Sequence, residues 1–117
     1  METLVSLEDL YAEGCVKLKC IRGLEQATKL QRLDVGGCSE LDELPSMETL
    51  VSLECLWAEG CVKLKCIRGL EQCRQLRTLS VTGCSELEEV EGVEHCTWLE
   101  KLADYDGCHK LQCPVWE

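Results

Sequence analysis

The sequence has 117 residues, which is enough for one ordinary domain and too few for two. Hydrophobic residues make up 45% of it and aromatic residues only 4%, so we expect an ordered chain with an aliphatic core. There are 12 Lys and Arg against 22 Asp and Glu, and the net charge of −10 argues against nucleic acid as a partner. We also expect no membrane partner, because no apolar run reaches the roughly 18 residues of a spanning helix.

The chain contains a tandem duplication. Residues 1–46 and 47–92 are identical at 33 of 46 positions. Each half divides again into two similar parts, and a fifth part follows the second half. This period predicts one domain over residues 1–117, built from units at 1–23, 24–46, 47–69, 70–92 and 93–115.

Each unit repeats the same order of apolar residues. In the second unit, Leu33 and Val35 alternate with polar neighbours, which predicts a short strand with one buried face. Leu41 and Leu44 follow three residues apart, a spacing that suits a short helical or 3₁₀ turn. The fifth unit slips by one residue at 103–107, where we expect a bulge or a looser turn. Because one unit cannot bury its apolar side alone, the pattern predicts an α/β solenoid with a parallel sheet along one side.

One column of charged residues changes sign from unit to unit. It contains Lys17, Glu40, Lys63, Glu86 and Lys110. Neighbouring strands of a sheet lie about 5 Å apart, so this alternation predicts ion pairs between successive units. Each exposed pair contributes little stability, but the column favours one register over others.

The repeated pattern L-x-x-L-x-V-x-x-C-x-x-L-x-x-L-P resembles the leucine-rich repeat family over nearly the whole chain. The segments GCSELDELPS at 37–46 and LVSLECL at 50–56 look like the C-terminal repeats of plant nucleotide-binding leucine-rich repeat (TIR-NBS-LRR type) disease resistance proteins. The resemblance implies a leucine-rich repeat arc of five coils. A parallel sheet would line its concave face, with short helical, 3₁₀ or irregular segments on its convex face. It also implies a protein of plant defence in the cytoplasm or the nucleus.

Eleven cysteines are many for a chain of this length. Five of them follow the predicted strands at one equivalent position, where leucine-rich repeats place a buried Asn or Cys. We predict a structural cysteine column of Cys15, Cys38, Cys61, Cys84 and Cys108. The competing interpretation is zinc binding, since Cys15 and Cys20 recur as a pair with four residues between them. Each pair lies within one unit and does not converge with the others, so we expect no metal; in an intracellular protein we also expect no disulfides.

The strand positions that alternate with buried residues form the candidate binding surface. In the family, such residues point outward from the concave sheet. Here they are Asp9, Tyr11, Glu13, Arg32, Asp34, Cys55, Trp57, Glu59, Thr78, Ser80, Thr82, Lys101 and Tyr105. The two copies of 46 residues differ at 13 positions, of which six lie on this face or its edge. Lys17, Lys19 and Arg22 are repeated unchanged, which argues against simple drift of exposed residues.

These features predict a non-catalytic protein–protein recognition module with a protein ligand. The resemblance implies a pathogen effector, a host target or the rest of the receptor, and a role in effector sensing or autoinhibition. We expect no enzyme and no cofactor, because the two histidines have no convergent nucleophile and no phosphate-loop motif occurs. Alternatives are a truncated receptor fragment without independent activity and a thiol- or metal-responsive repeat protein. Since no separate caps are recognisable, we expect open apolar ends and self-association through them.

Overall fold

Short strands and 3₁₀ turns alternate along the chain. The computed structural model describes residues 6–21, 23–44, 46–92 and 101–104. The strands of these ranges are β1 (Asp9–Tyr11), β2 (Arg32–Asp34), β3 (Cys55–Trp57), β4 (Cys66–Ile67), β5 (Thr78–Ser80), β6 (Glu89–Val90) and β7 (Lys101–Asp104). The 3₁₀ turns span Leu24–Gln26, Met47–Thr49 and Leu70–Gln72.

The main sheet is parallel and has the strand order β1-β2-β3-β5-β7. From β1 to β5, each strand pairs in register with the residues 23 positions later, so that Leu33 stands between Leu10 and Leu56. The step to β7 is irregular: Thr78 pairs with Lys101, whereas Ser80 pairs with Asp104. One extra residue in β7 accounts for this shift, close to the expected slip. The parallel sheet that the period-two pattern predicted is confirmed.

The segment after each buried cysteine was predicted as a short helical or 3₁₀ turn or as irregular backbone. Residues 38–44 form no helix but contain hydrogen-bonded turns, in one of which the Leu41 N–H donates to the Cys38 carbonyl at 3.1 Å. In the next two units, the residues equivalent to 43–44 form β4 and β6, a second parallel sheet in which Ile67 pairs with Val90. The 3₁₀ turns lie farther along, and five residues separate each of them from the next strand of the main sheet. An apolar residue every third position therefore faces inward without a continuous helix, because the strand register already orients each segment.

The core is a stack of aliphatic and cysteine side chains. Each unit from the second to the fourth contributes the same set, for example Leu30, Leu33, Val35, Cys38 and Leu41, all fully buried. Among the described residues, every buried hydrophobic side chain is aliphatic or sulfur-containing, as the composition predicted. In the first unit, the corresponding leucines and alanine are only half-buried and pack against this core.

Ion pairs also connect residues one period apart. Lys63 Nζ lies 3.0 Å from Glu40 Oε1, and Arg32 Nη1 lies 3.1 Å from Asp9 Oδ1. The first of these belongs to the charged column of alternating sign, and both are exposed, so each contributes little stability.

The chain is a small α/β-type domain built on a parallel sheet with few and short helices. None of the helices in the described ranges has the length and hydropathy to cross a membrane.

Candidate functional site

The outer face of the main sheet carries most of the predicted binding residues. We use this name for the side chains that alternate with the inward-facing leucines of β1, β2, β3 and β5. Two rows result from the strand register. The first row is Asp9, Arg32, Cys55 and Thr78, and the second is Tyr11, Asp34, Trp57 and Ser80.

Five predicted binding residues lie outside these two rows. Glu13, Glu59 and Thr82 lie two positions beyond the last residue of their strands, since each strand has only three residues. Lys101 begins β7 and pairs with Thr78. Tyr105 lies outside the described residues, as does Cys108 of the predicted cysteine column.

Exposure decreases along the second row. Tyr11 is 60% exposed, and the Asp34 and Trp57 side chains are half-buried. Ser80 is only 5% exposed, which corrects the expectation that it faces a ligand directly. Its side chain is small, stands in register with Trp57 and donates its hydroxyl to Glu59. Ser80 therefore contributes little contact area of its own, and its effect on the outer face comes from the hydrogen bond that it donates to Glu59.

Asp9 and Arg32 neutralise each other in the first row. The Arg32 guanidinium donates a 3.1 Å hydrogen bond to Asp9 Oδ1. This hydrogen bond and the charge of Asp9 raise the pKa of Arg32, so the guanidinium stays protonated. The positive charge of Arg32 is thus paired with Asp9 in the first row, and the aromatic residues lie in the second row.

Asp34 is held by the backbone of its own chain segment. Its Oδ1 atom accepts a 2.9 Å hydrogen bond from the Gly36 N–H. A Cβ atom at position 36 would lie 3.1 Å from this oxygen, so the glycine leaves room for the carboxylate. This contact was not predicted. The spacing Asp-x-Gly is nevertheless a signal for it, because an Asp side chain often accepts from the N–H two residues later.

Glu59 reaches across the sheet to the next strand. Its Oε2 atom accepts a 2.8 Å hydrogen bond from the Ser80 hydroxyl. Ser80 is the neighbour of Trp57 in the register of β3 and β5. The Glu59 carboxylate is therefore fixed on the β5 side of Trp57, whereas Asp34 lies on its β2 side.

Three cysteines of the predicted column are buried and hydrogen-bonded. The Sγ atoms of Cys38, Cys61 and Cys84 donate to backbone carbonyls 26 residues earlier, at 3.1, 3.0 and 2.9 Å. Burial raises the pKa of Cys38, so its thiol stays protonated. Cys15 is exposed, which corrects the prediction that it is buried. The structure describes no unit on the outer side of Cys15 that would cover it and supply a carbonyl.

A metal site and a surface groove are less well supported as functional sites than the outer face. In the part of the chain that the structure describes, no group of three or more His, Cys, Asp or Glu side chains is placed to hold a metal ion. A surface groove outside the sheet is lined by Asp42, Glu43, Val62, Lys63, Lys65, Ser85 and Glu86. Its lining has three acidic and two basic residues, a mixture of both signs, and it contains no aromatic side chain. No family model matches the chain.

Proposed function

We propose that the chain is a non-catalytic module that recognises a partner protein through the outer face of its sheet. One observation carries this proposal: the duplicated halves keep most of their inward residues and change most of the outward residues on their strands. Leu10 and Leu56 are identical, stack two strands apart and face the core. Their neighbours differ, since Asp9 and Tyr11 of the first half correspond to Cys55 and Trp57 of the second. A scaffold that is retained while its exposed face diverges is typical of a binding surface.

The aromatic residues of this face suit protein recognition. Tyr11 on β1 and Trp57 on β3 stand in one row, with Asp34 on β2 between them. Exposed aromatic side chains supply large contact areas at a low cost in conformational entropy, which makes them frequent anchors of protein interfaces. The outer face thus combines large rings with charged groups, as interfaces do.

We further propose that the units stack as a leucine-rich repeat arc whose concave side is this outer face. The pairing of strands one period apart and the column of buried thiols support this arrangement. By resemblance, the chain would serve as the repeat part of a plant intracellular immune receptor, in effector sensing or autoinhibition. The partner would then be an effector, a host protein or another part of the same receptor.

Photo-crosslinking tests the proposed surface. A photoreactive amino acid replaces Thr78 on the outer face or, as a control, the exposed Glu25 in a 3₁₀ turn. In cells that express the chain, we expect discrete protein adducts from position 78 and few from position 25. The adducts should disappear in a Trp57→Ala background and persist in Glu88→Gln, which changes an exposed charge outside the outer face. Adducts that are absent, or that do not depend on Trp57, would contradict the proposal.

The competing interpretation, a fragment without independent activity, is tested by a thermal melt. In reducing, metal-free buffer we expect a cooperative loss of the far-UV circular dichroism signal, because the described core is continuous from the second to the fourth unit. A chain that shows no transition, or that aggregates from the start, would favour the fragment interpretation.

A further inference from the structure

We propose that the outer face binds an arginine side chain of the partner protein. The guanidinium would stack on the Trp57 indole and donate hydrogen bonds to the carboxylates of Asp34 and Glu59. This inference rests on the proposed function and specifies the chemical group that the surface recognises.

The register of the sheet places two carboxylates on opposite sides of one indole. Asp34 is the neighbour of Trp57 on β2, and paired strands lie about 4.8 Å apart. On the other side, Ser80 is the neighbour on β5 and holds the Glu59 carboxylate at 2.8 Å. A flat cation over the ring would therefore meet an acceptor at each edge.

Each carboxylate is oriented by one oxygen and leaves the other one available. Asp34 uses Oδ1 for the Gly36 N–H, and Glu59 uses Oε2 for the Ser80 hydroxyl. Among the described residues, no hydrogen bond or ion pair reaches Asp34 Oδ2 or Glu59 Oε1. Because the internal hydrogen bonds already order both side chains, less conformational entropy is lost when a ligand binds.

Among the residues whose side chains the structure describes, the basic residue on β2 is already paired. Arg32 lies two residues before Asp34 on the same face, but its guanidinium contacts Asp9 at 3.1 Å. The charges of Asp34 and Glu59, together with that of the exposed Glu13, are therefore not balanced by a described cation of the chain. A partner that supplies a positive charge complements this end of the outer face.

The shape of the site favours a guanidinium. A metal ion needs several ligands at one point, and none of the described His, Cys, Asp and Glu groups provides such a cluster. An ammonium is a compact charge, whereas a guanidinium is planar, stacks on aromatic rings and carries five donors that can reach two separate acceptors. A Cβ atom at Gly36 would lie 3.1 Å from Asp34 Oδ1 and 3.6 Å from the Glu59 carbonyl oxygen, so the glycine lets the Asp34 carboxylate keep its orientation.

The first test is a titration of the full chain, labelled with ¹⁵N, followed by nuclear magnetic resonance. The probe is Nα-acetyl-arginine amide, with Nα-acetyl-lysine amide and Nα-acetyl-citrulline amide for comparison. We expect saturable shifts of the Trp57 indole N–H and the Gly36 amide with the arginine probe, which should weaken at high salt. The lysine probe should bind at least about threefold more weakly. The neutral citrulline probe should give no saturable shift, and equal shifts from citrulline and arginine would overturn the inference.

Charge-matched variants provide the second test. Asp34→Asn and Glu59→Gln should each weaken arginine binding at least about fivefold, because charge-assisted hydrogen bonds become neutral ones. Glu88→Gln removes an equal charge outside the site and should leave the affinity unchanged. If all three variants bind alike, the attraction comes from the net charge of −10 and the inference falls.

The two proposals fail separately. If adducts form from position 78 and depend on Trp57, but the arginine probe causes no chemical-shift change, the proposal of protein recognition is supported and the arginine site is overturned. Specific arginine binding without adducts would support the site chemistry and overturn the proposal of a partner protein.

Discussion

Ser80 donates a 2.8 Å hydrogen bond to Glu59, across the gap between β5 and the end of β3. The hydroxyl is nearly inaccessible, but the carboxylate that it holds is exposed. A residue without contact area of its own thus determines where a charge stands on the outer face. This relationship predicts that Ser80 affects binding through Glu59.

Ser80→Ala should lower the free energy of unfolding by about 1 kcal/mol, since a part-buried hydrogen bond is lost. Glu59→Gln should lower it less, because the amide oxygen still accepts from the hydroxyl. Urea denaturation of the two variants measures the difference. Ser80→Ala should also weaken arginine binding, although it leaves every charge in place. An unchanged affinity would mean that Glu59 needs no fixed position.

Cys61 and Cys15 occupy the same repeat position in different surroundings. Cys61 is fully buried and bonds to the Val35 carbonyl at 3.0 Å, whereas Cys15 is exposed. Cys61→Ala should therefore cost about 1–2 kcal/mol of unfolding free energy. Cys15→Ala should stay within about 0.5 kcal/mol of the unmodified chain. Chemical denaturation checks this, and equal costs would show that the thiol column stabilises nothing by burial.

Gly69 and Gly14 share a left-handed backbone but not their surroundings. Their φ angles are 84° and 79°, so alanine is strained at both by about 1–2 kcal/mol. A Cβ at Gly69 would also lie 2.5 Å from Ser46 Oγ and 2.6 Å from Glu48 N. At Gly14, no described residue other than its neighbours in the chain would come within 4 Å of a Cβ. Gly69→Ala should thus destabilise the chain by at least about 1 kcal/mol more than Gly14→Ala. Thermal denaturation of both variants tests the difference.

Burial divides the described cysteines into classes of reactivity. Cys15 and Cys20 are exposed and should be alkylated first, with Cys55 and Cys66 next. Cys38, Cys61, Cys73 and Cys84 are buried and should react only as fast as the structure opens. Peptide mass spectrometry after timed exposure to iodoacetamide gives the order. Rapid labelling of the buried class would favour the thiol-responsive alternative.

Cys38 also predicts a dependence of stability on pH. Burial raises its pKa in the folded state above that of the unfolded chain. The folded state therefore holds the proton more tightly, and its advantage is complete below the unfolded pKa. It decreases as the pH rises through the interval between the unfolded and folded values, above about pH 8.5. The alkaline decrease in unfolding free energy should be smaller in Cys38→Ala, as measured by urea denaturation at a series of pH values.

The sequence predicted the strands better than the segments between them. Leu33 and Val35 alternate with polar residues, and β2 forms at this position because that alternation buries one face of an extended chain. The turns after Cys38 were not predictable in detail. An apolar residue every third position is compatible with a 3₁₀ turn, a series of single turns or an extended segment, and packing against the next unit selects among them.

The candidate site shows the same division. The alternation of buried and exposed positions identified Asp34 and Trp57 as neighbours on one face, since the period of 23 residues already implies their register. The position of the Glu59 carboxylate was not foreseen, because it depends on a hydroxyl 21 residues away in the sequence. Ser80 itself was expected to be exposed but is nearly inaccessible, and burial depends on neighbours that the alternation of its own strand does not reveal.

The sequence by itself determined the period, the inward-facing residues and the parallel pairing of strands. These follow from local alternation and from the repetition of one pattern, and both can be read without a partner strand. Only the tertiary structure decided which equivalent positions are buried, so that Cys15 and Cys61 differ although their local sequences agree. It also decided that Asp34 and Glu59 flank Trp57 as oriented carboxylates. The physical reason is that burial and hydrogen bonding depend on neighbours from other units, which a repeat pattern does not distinguish.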